Sequence, residues 1–564
     1  MLTDKTLEVE MKLYRLGIPW LFLMLALLAK AQNRENYGGL LTQQVSSGKL
    51  PSPQHLQDHV DDGKLRLGVR DAVLLTLENN SNVRIQEAQV EADKFALLRT
   101  YQPFDPALQS IFNLNRFSSP GFSQLQGVGV SGTAALNSLT QAGQINYTQT
   151  FYTGTNIVVG LGTTRNSTNS SFYYFNPYYN TTLNLQFTQP LLRNAWRFAN
   201  EAPLIIARRT LQQSRASFGA QVSDAILQAV SQYWTVVQAR GNLDVARKSL
   251  EAADASYQRD KRALELGALP PLNIYRSESE VASRRVQMIQ AEYTLKQAEE
   301  ALRLTIGADQ DPYFRALDLD LTEKPEPEGA LWSIDAGTAL QVALKQRPEV
   351  EAVRDALAND DTSIRIAHNH LKPDLSLTGL YQSNGLGGNQ YNLNINQTTG
   401  QVTSQLISRG GLASSFHQLL AFGYPGYGGT LTLNLPVKNR AAQADLGSAL
   451  VSRHQDLYSA QQVRERITRE VTDAVHQLEE AKITLAAGKT SLDLAQKDLA
   501  AEQRKYELGS EPIFFVLNAQ TGLAQAELNL LQAQVSYQVA RAAVDHATGS
   551  LLEPYGLQIA KLTK

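Results

Sequence analysis

His368 and His370 are the closest-spaced histidines in a chain of 564 residues that holds eight histidines and no cysteine. Metal ligation is the chemistry such a pair could offer. On a helix, however, residues two apart point to different faces. No acidic or sulfur partner is spaced to complete a ligand set, so solvated histidines are the better reading. Asp360-Asp361 and Glu299-Glu300 read in the same way, as charged helix surface. Serine and histidine occur without a Gly-x-Ser-x-Gly elbow, and no Walker or dinucleotide fingerprint is present. Met288 is the one methionine beyond the first 24 residues, which leaves no thioether relay for soft metals. The lack of cysteine removes disulfides, thiolate sites and an N-terminal lipid-bearing cysteine. A net charge of −2 with 19% charged residues lies below the roughly 25% of ordinary soluble domains and gives no basic footprint for nucleic acid. Neither catalysis nor a cofactor or metal is expected.

Stepping from side chains to elements, the chain is written twice. Glu265-Leu266-Gly267 and Glu507-Leu508-Gly509 recur at an offset of 242, as do Gly307 and Gly549. Pro106-Ala107-Leu108 and Pro373-Asp374-Leu375 recur at 267, as do Val83 and Val350. The offset shrinks because the segment between these anchors is longer in the first copy. Each copy therefore has helix-patterned flanks around a variable, β-patterned insert, unlike the short periods of solenoids. From Ile467 through Val471, Ala474, Leu478, Ala481, Leu485, Gly488, Leu492, Ala495 and Leu499, apolar or small residues alternate steps of four and three. That is a heptad seam of the coiled-coil kind. Leu243, Ala246, Leu250, Ala253, Tyr257, Asp260 and Leu264 repeat it, with Asp260 answering Glu502. Two patterns of about 70 residues, near 197–266 and 440–508, predict helices of roughly 105 Å. Shorter helices are predicted over 69–101, 272–305, 335–371 and 512–548, and glycine and proline turn the chain at 267–271 and 509–512.

The inserts alternate with period two. Thr182-Leu183-Asn184-Leu185-Gln186-Phe187-Thr188 and Thr430-Leu431-Thr432-Leu433-Asn434-Leu435 are the clearest strands, with Leu108–Phe117 and Leu375–Tyr381 less regular. One face is apolar; the other is Thr, Asn and Gln without charge, which suits lipid on one side and a hydrated lumen on the other. Pro190 and Pro436 end strands and start the long helices. A further hairpin at 145–151 and 156–161, joined by Thr153-Gly154, is present in the first copy alone and has no evident place. Four strands cannot close a barrel, and open edges are not tolerated in lipid. The barrel has to be shared, and three copies would give twelve strands.

Leu16–Ala29 is apolar, follows Lys12 and Arg15, and precedes a small-x-small site at Ala29-Lys30-Ala31, the pattern of a secretory signal. Translation from Met11 would remove Asp4, Glu8 and Glu10, which otherwise spoil its basic start. The expected organisation is a signal at 1–31, a polar linker at 32–66, a first repeat at 67–310, a linker at 311–334, a second repeat at 335–552 and a tail at 553–564.

The signal, the duplicated helix-strand-strand-helix-helix unit, Gln189-Pro190-Leu191-Leu192-Arg193-Asn194, and the run from Tyr506-Glu507-Leu508-Gly509 to Val516-Leu517-Asn518-Ala519-Gln520 resemble the TolC-like outer-membrane efflux family over roughly Leu67–Leu552. The resemblance implies an α+β membrane protein: a long α-helical coiled-coil barrel joined to a trimeric transmembrane β-barrel. It implies a homotrimer in the outer membrane with a large periplasmic portion. This would be a passive exit duct for small molecules or secreted polypeptides, docked to a periplasmic adaptor and an inner-membrane pump. The adaptor-contacting tips would be Gly267, Ala268, Leu269, Pro270, Gly509, Ser510 and Pro512. Well-known members narrow their entrance with carboxylates six and nine residues after the tip glycine; Phe515 and Asn518 stand there in this chain, and Asn273 and Arg276 in the first copy. Phe515, Asn518, Glu511 and Asn273 are therefore the expected constriction, closed by dewetting rather than by a carboxylate ring; packing of Phe515 between helices is the ordinary alternative. The rival function is a periplasmic coiled-coil adaptor or envelope spacer without a channel.

Overall fold

The computed structural model describes residues 53–121, 135–266, 271–395, 402–508 and 510–557. The signal segment, most of the following linker, Gly267, Ala268, Leu269, Pro270, Gly509 and residues 558–564 lie outside them. Ten helices are named here in chain order: α1 (Val69–Asn79), α2 (Ser81–Arg99), α3 (Trp196–Glu265), α4 (Pro271–Ile306), α5 (Pro312–Arg315), α6 (Ala336–Gln346), α7 (Pro348–His370), α8 (Leu412–Leu420), α9 (Arg440–Glu507) and α10 (Ile513–Thr548). The strands are β1 (Val60–Asp61), β2 (Lys64–Leu67), β3 (Ala107–Pro120), β4 (Ala135–Thr150), β5 (Asn156–Thr168), β6 (Phe175–Pro190), β7 (Asp318–Leu321), β8 (Asp374–Ile395), β9 (Val402–Ser408) and β10 (Pro425–Asn434). The chain divides into two compact units.

The first unit holds residues 96–208 and 359–452 among those described. Its centre is one antiparallel sheet in the order β10-β8-β6-β5-β4-β3, with β9 paired to the far end of β8. The sequence-expected count of four strands is thus corrected to six across the wall, and to seven in the sheet with β9. The hairpin that sequence could not place is β4–β5, inserted between β3 and β6 with unbroken pairing on both sides. Its turn is fastened where α3 begins. The Trp196 amide donates to the Thr153 carbonyl at 3.2 Å, Gln189 Nε2 donates to the same oxygen at 3.3 Å, and the Phe104 and Tyr152 rings meet at 4.4 Å. Gly154 has φ +82°, and a Cβ there would lie 2.8 Å from the Asn194 carbonyl, so only glycine fits the turn.

The second unit holds residues 53–95, 209–358 and 453–557 of those described. The predicted seam is its core: Ile467, Val471, Ala474, Leu478, Ala481 and Leu485 on α9 are buried against Ala533, Tyr537, Ala540 and Val544 of α10 and Ala339 and Ala343 of α6. Beyond Leu485 the seam continues half-buried through Leu492, Ala495 and Leu499. The long helices have 70 and 68 residues, as expected. Two of the shorter ones differ from expectation, since 69–101 and 335–371 are each broken near one third of their length. Asn80 adopts an extended conformation and caps α2 by accepting the Asn82 amide at 2.9 Å. Arg347, at ψ 130°, precedes Pro348, whose ring disfavours helical geometry in the residue before it. The two breaks lie 347 − 80 = 267 residues apart, the offset of the repeat.

The segments 60–67 and 311–334, expected as linkers, carry a small three-stranded sheet, with β2 parallel to β7. Tyr233 of α3, fully buried, ties that sheet down. Its hydroxyl donates to the Leu67 carbonyl at 3.3 Å and accepts the Glu323 amide at 3.1 Å. Tyr537 does the same for the second linker by accepting the Trp332 amide at 2.8 Å.

Candidate functional site: the strand faces and the helical hairpin tips

Paired residues in an antiparallel sheet share a face, so the register sorts the wall of the first unit into two surfaces. Leu183, Leu185 and Phe187 of β6 stand beside Leu161, Val159 and Ile157 of β5. Leu108, Phe112 and Leu114 of β3 and Leu431 and Leu433 of β10 have the same parity. These side chains are bare in the isolated chain, Phe112 at 72% and Leu431 at 64%. The opposite face carries Thr182, Asn184, Gln186 and Thr188, with Gln144, Asn146, Gln382, Thr430 and Thr432. Its side chains hydrogen-bond to neighbours two residues on, Gln144 to Asn146 at 2.9 Å and Gln382 to Asn384 at 2.8 Å. Among the described residues of the six strands, charge is confined to Asp374 at the helix end and to Arg116 and Arg165 toward the loop end. Arg165 donates to Gln141 at 2.8 Å.

One element on the apolar face was not expected. Between β9 and β10 the chain leaves the sheet and forms α8, which lies over Ser383, Gly385 and Gly387. Ser383 Oγ donates to the Leu419 carbonyl and Thr181 Oγ1 to the Ser415 carbonyl, both at 2.9 Å. A Cβ on Gly385 would sit 1.9 Å from the Ser415 carbonyl oxygen. Leu412-Ala413-Ser414-Ser415-Phe416-His417-Gln418-Leu419-Leu420 is amphipathic in hindsight, but nine residues inside a polar, glycine-rich stretch give a weak period.

The second unit carries the hairpin ends. Glu511 is paired with Lys505 at 3.3 Å, and Lys505 also meets Glu502 at 2.7 Å. The Lys505 hydrogen bond, and secondarily Glu511, hold the Glu502 carboxyl below its ordinary range, while the two carboxylates raise the Lys505 ammonium. Ser510 closes the turn by donating its amide and hydroxyl to the Lys505 carbonyl, at 3.0 and 2.9 Å, and Pro512 is the cap residue of α10. Past it, Val516 and Ala519 face inward, whereas Phe515 is 44% exposed and Asn518 is exposed. Phe515 leans edge-on against Phe514 at 5.5 Å. Asn273 falls in the first turn of α4; the tip preceding it, including Gly267, Ala268, Leu269 and Pro270, and Gly509 of the other tip, fall outside the described residues.

The matching seam position in the first hairpin is chemically different. Asp260 is buried and accepts the Ser277 hydroxyl, itself buried. The repeat flagged Asp260 against Glu502; what it could not show is that their partners, Ser277 and Lys505, stand at unrelated positions, and that Lys505 meets Oε1 of Glu502 while Oε2 stays buried without a partner. Arg347 was also missed. It is buried and bonded to Glu349 at 2.5 Å and to Glu470. Burial disfavours its charge, but the two carboxylates outweigh that and raise its pKa. His368 and His370 end α7, and no cluster of three or more metal-ligating side chains exists among the described residues.

A wall of alternating apolar and uncharged polar faces, carried by a chain whose other half is heptad helix hairpins, defines a membrane-embedded duct component. The sequence matches the family described as "Outer membrane efflux protein" over residues 156–308 and 339–550, and the chain belongs to that family. It is 24% identical over 386 residues to outer membrane protein TolC of Vibrio cholerae, covering 67% of this chain and 80% of that one. To outer membrane efflux protein BepC of Brucella suis it is 21% identical over 384 residues, covering 67% and 75%. In fold it is similar to the Campylobacter jejuni CmeC outer membrane channel, with a TM-score of 0.58, 15% identity, and coverage of 93% and 94%.

Proposed function

We propose that this chain is the passive exit duct of an efflux or type I secretion assembly, a homotrimer that receives its cargo from a periplasmic adaptor and an inner-membrane pump. As a member of its family it is an outer-membrane efflux protein and a transport component, not an enzyme. The observation that carries the rest is the sheet: apolar on one face, uncharged and polar on the other, and unpaired at both edges. Lipid on the apolar side and water on the other satisfy that pattern, and neighbouring copies satisfy the edges. Arg116 and Arg165 lie at the loop end, a suitable depth for anionic headgroups. This reading leaves no role for a spacer without a channel.

At the hairpin end, Phe515, with Asn518, Glu511 and Asn273 around it, forms the constriction, and the tip residues Ser510 and Pro512, with Gly267, Ala268, Leu269, Pro270 and Gly509, meet the adaptor. The partial exposure of Phe515 supports this, since it leaves 44% of the residue open to contacts from neighbouring copies. Three converging phenyl rings exclude water and close a pore without charge. Phe515→Ala in planar bilayers should raise resting conductance several-fold. Unchanged conductance removes Phe515 as the gate, and a monomeric mass in detergent, or a water-soluble periplasmic pool, removes the duct.

A further inference from the structure

The β4–β5 hairpin changes the size of the barrel. We infer that β3 of one copy pairs with β10 of the next, so that the transmembrane wall of the trimer has eighteen strands, three copies of six, rather than twelve. This rests on the trimeric duct reading.

Four observations carry it. First, β4 and β5 are full members of the sheet. β4 pairs with β3 over fourteen residue pairs, Ala107–Thr148 to Pro120–Ala135, and β5 with β6 over eleven, Asn156–Thr188 to Asn166–Tyr178. Their side chains keep the parity of the wall, Ile145 and Val159 on the apolar face, Gln144 and Asn146 on the polar one. Second, the hairpin turn is bolted to the strand–helix junction through Thr153 and Gly154, so β4–β5 does not hang from the wall as a loop. Third, the two free edges are mutually suited. β3 leaves its helix and β10 runs toward one, so they are antiparallel when placed side by side. Arg116 is their one charge, and Pro120 and Pro425 stand at the terminal positions of the two strands, so the runs between lack the charge or proline that normally blunts a solvent-exposed edge. Fourth, the repeat supplies the register. Inside the protomer Pro190 of β6 lies opposite Ser376 of β8. The matching residues in the other copy are Gln109, at the repeat offset 376 − 109 = 267, and Pro436, which like Pro190 is the proline between strand and long helix and stands at 436 − 190 = 246, four residues beyond the helical offset of 242. Setting Pro436 opposite the next copy's Gln109 brings Thr432 beside Asn113 and Thr430 beside Asn115, polar face to polar face. It gives every residue of β10 a partner between Ile111 and Pro120. On the apolar side Gly429 then faces Arg116 and Leu433 faces Phe112.

Barrel diameter grows about linearly with strand number, and 16 to 18 strands leave an aqueous channel. At the helix end of the wall only β3, β6, β8 and β10 continue into helical segments, whereas β4 and β5 are joined by a tight turn there, so the added strands widen the membrane outlet and not the helical portion.

Because the chain lacks cysteine, the register can be tested in the full-length protein. Asn113→Cys with Thr432→Cys, and Asn115→Cys with Thr430→Cys, should each give disulfide-linked trimers on mild oxidation, since facing Cβ atoms in a ladder lie about 4.5–5.5 Å apart. Asn113→Cys with Leu433→Cys, on opposite faces, should give little. Electron cryomicroscopy of the wild-type trimer in lipid nanodiscs should count eighteen strands. A trimer with twelve strands and residues 135–168 folded away from the wall overturns the inference while leaving the duct intact; particles that are not trimers overturn the duct itself. Cross-links in neither pair within an eighteen-stranded trimer overturn the register.

Discussion

The side chains that fix this molecule are mostly uncharged and buried, and their removal has definite consequences. Tyr233→Phe keeps the ring but leaves the Glu323 amide and Leu67 carbonyl without their shared hydroxyl, a loss of about 1–3 kcal/mol readable as a lower unfolding midpoint in detergent. Gly385→Val drives a methyl group into the Ser415 carbonyl, a backbone atom that cannot rotate away. Overpacking of this kind costs about 1–3 kcal/mol, and residues 409–424 should become open to protease while the strands remain protected. Ser277→Ala should destabilise the first hairpin, because Asp260 is then buried without its donor; adding Asp260→Asn should recover part of the loss. Some of this was legible: the repeat marks Asp260 and Glu502 as equivalent positions on a packed seam. Their partners were not, because satisfaction of a buried carboxylate depends on the facing helix, and Ser277 carries no sequence signal of its role. Arg347 stayed hidden for the same reason, since its carboxylate Glu470 is 123 residues away.

Elements were far more legible than side chains. A seam of more than five heptads over-determines a helix, so α3, α4, α9 and α10 fell where periodicity set them, and the stop-start signals marked where α3 and α9 end and α4 and α10 begin. The missed breaks at Asn80 and Arg347 leave the apolar period nearly in phase, and only a cap and a residue before proline mark them. The strand hairpin β4–β5 was visible as alternation, but pairing partners are a non-local property and alternation alone cannot choose them. Helix α8 was too short to show a period. The tip of the second hairpin adds a pH dependence. Glu502 is held below its ordinary value, so its contribution is present above about pH 4.3 and lost as pH falls through its lower, folded value. Lys505 is raised, so its contribution is present below about pH 10.4 and lost above its folded value. Amide protection at 502–508, measured as exchange relative to the intrinsic rate at each pH, should therefore be highest between these limits and fall on acidification.

At the scale of the whole molecule, the proposed trimer is joined through strand edges whose one charge is Arg116, and so by backbone pairing rather than by ion pairs. The trimer's mass in detergent should accordingly be unchanged between 0.1 and 1 M salt, where the screening length falls from about 10 to 3 Å; salt-induced dissociation would mean that charged contacts hold it together. The overall architecture was readable because duplication reduces a chain of 564 residues to one unit read twice. Where the copies differ, in the inserted strands, the reading lost its template, and there the strand count failed.

That insertion also obeys a parity rule. Two strands out and back return the chain to the side from which it left, so β6 still meets α3 with its direction unchanged. A single added strand would have delivered the chain to the opposite side of the membrane and stranded 70 helical residues outside the cell. A lineage of such proteins can thus enlarge its outlet by whole hairpins, each a self-contained genetic event that asks nothing of the helices, and descendants should differ in bore by pairs of strands per subunit.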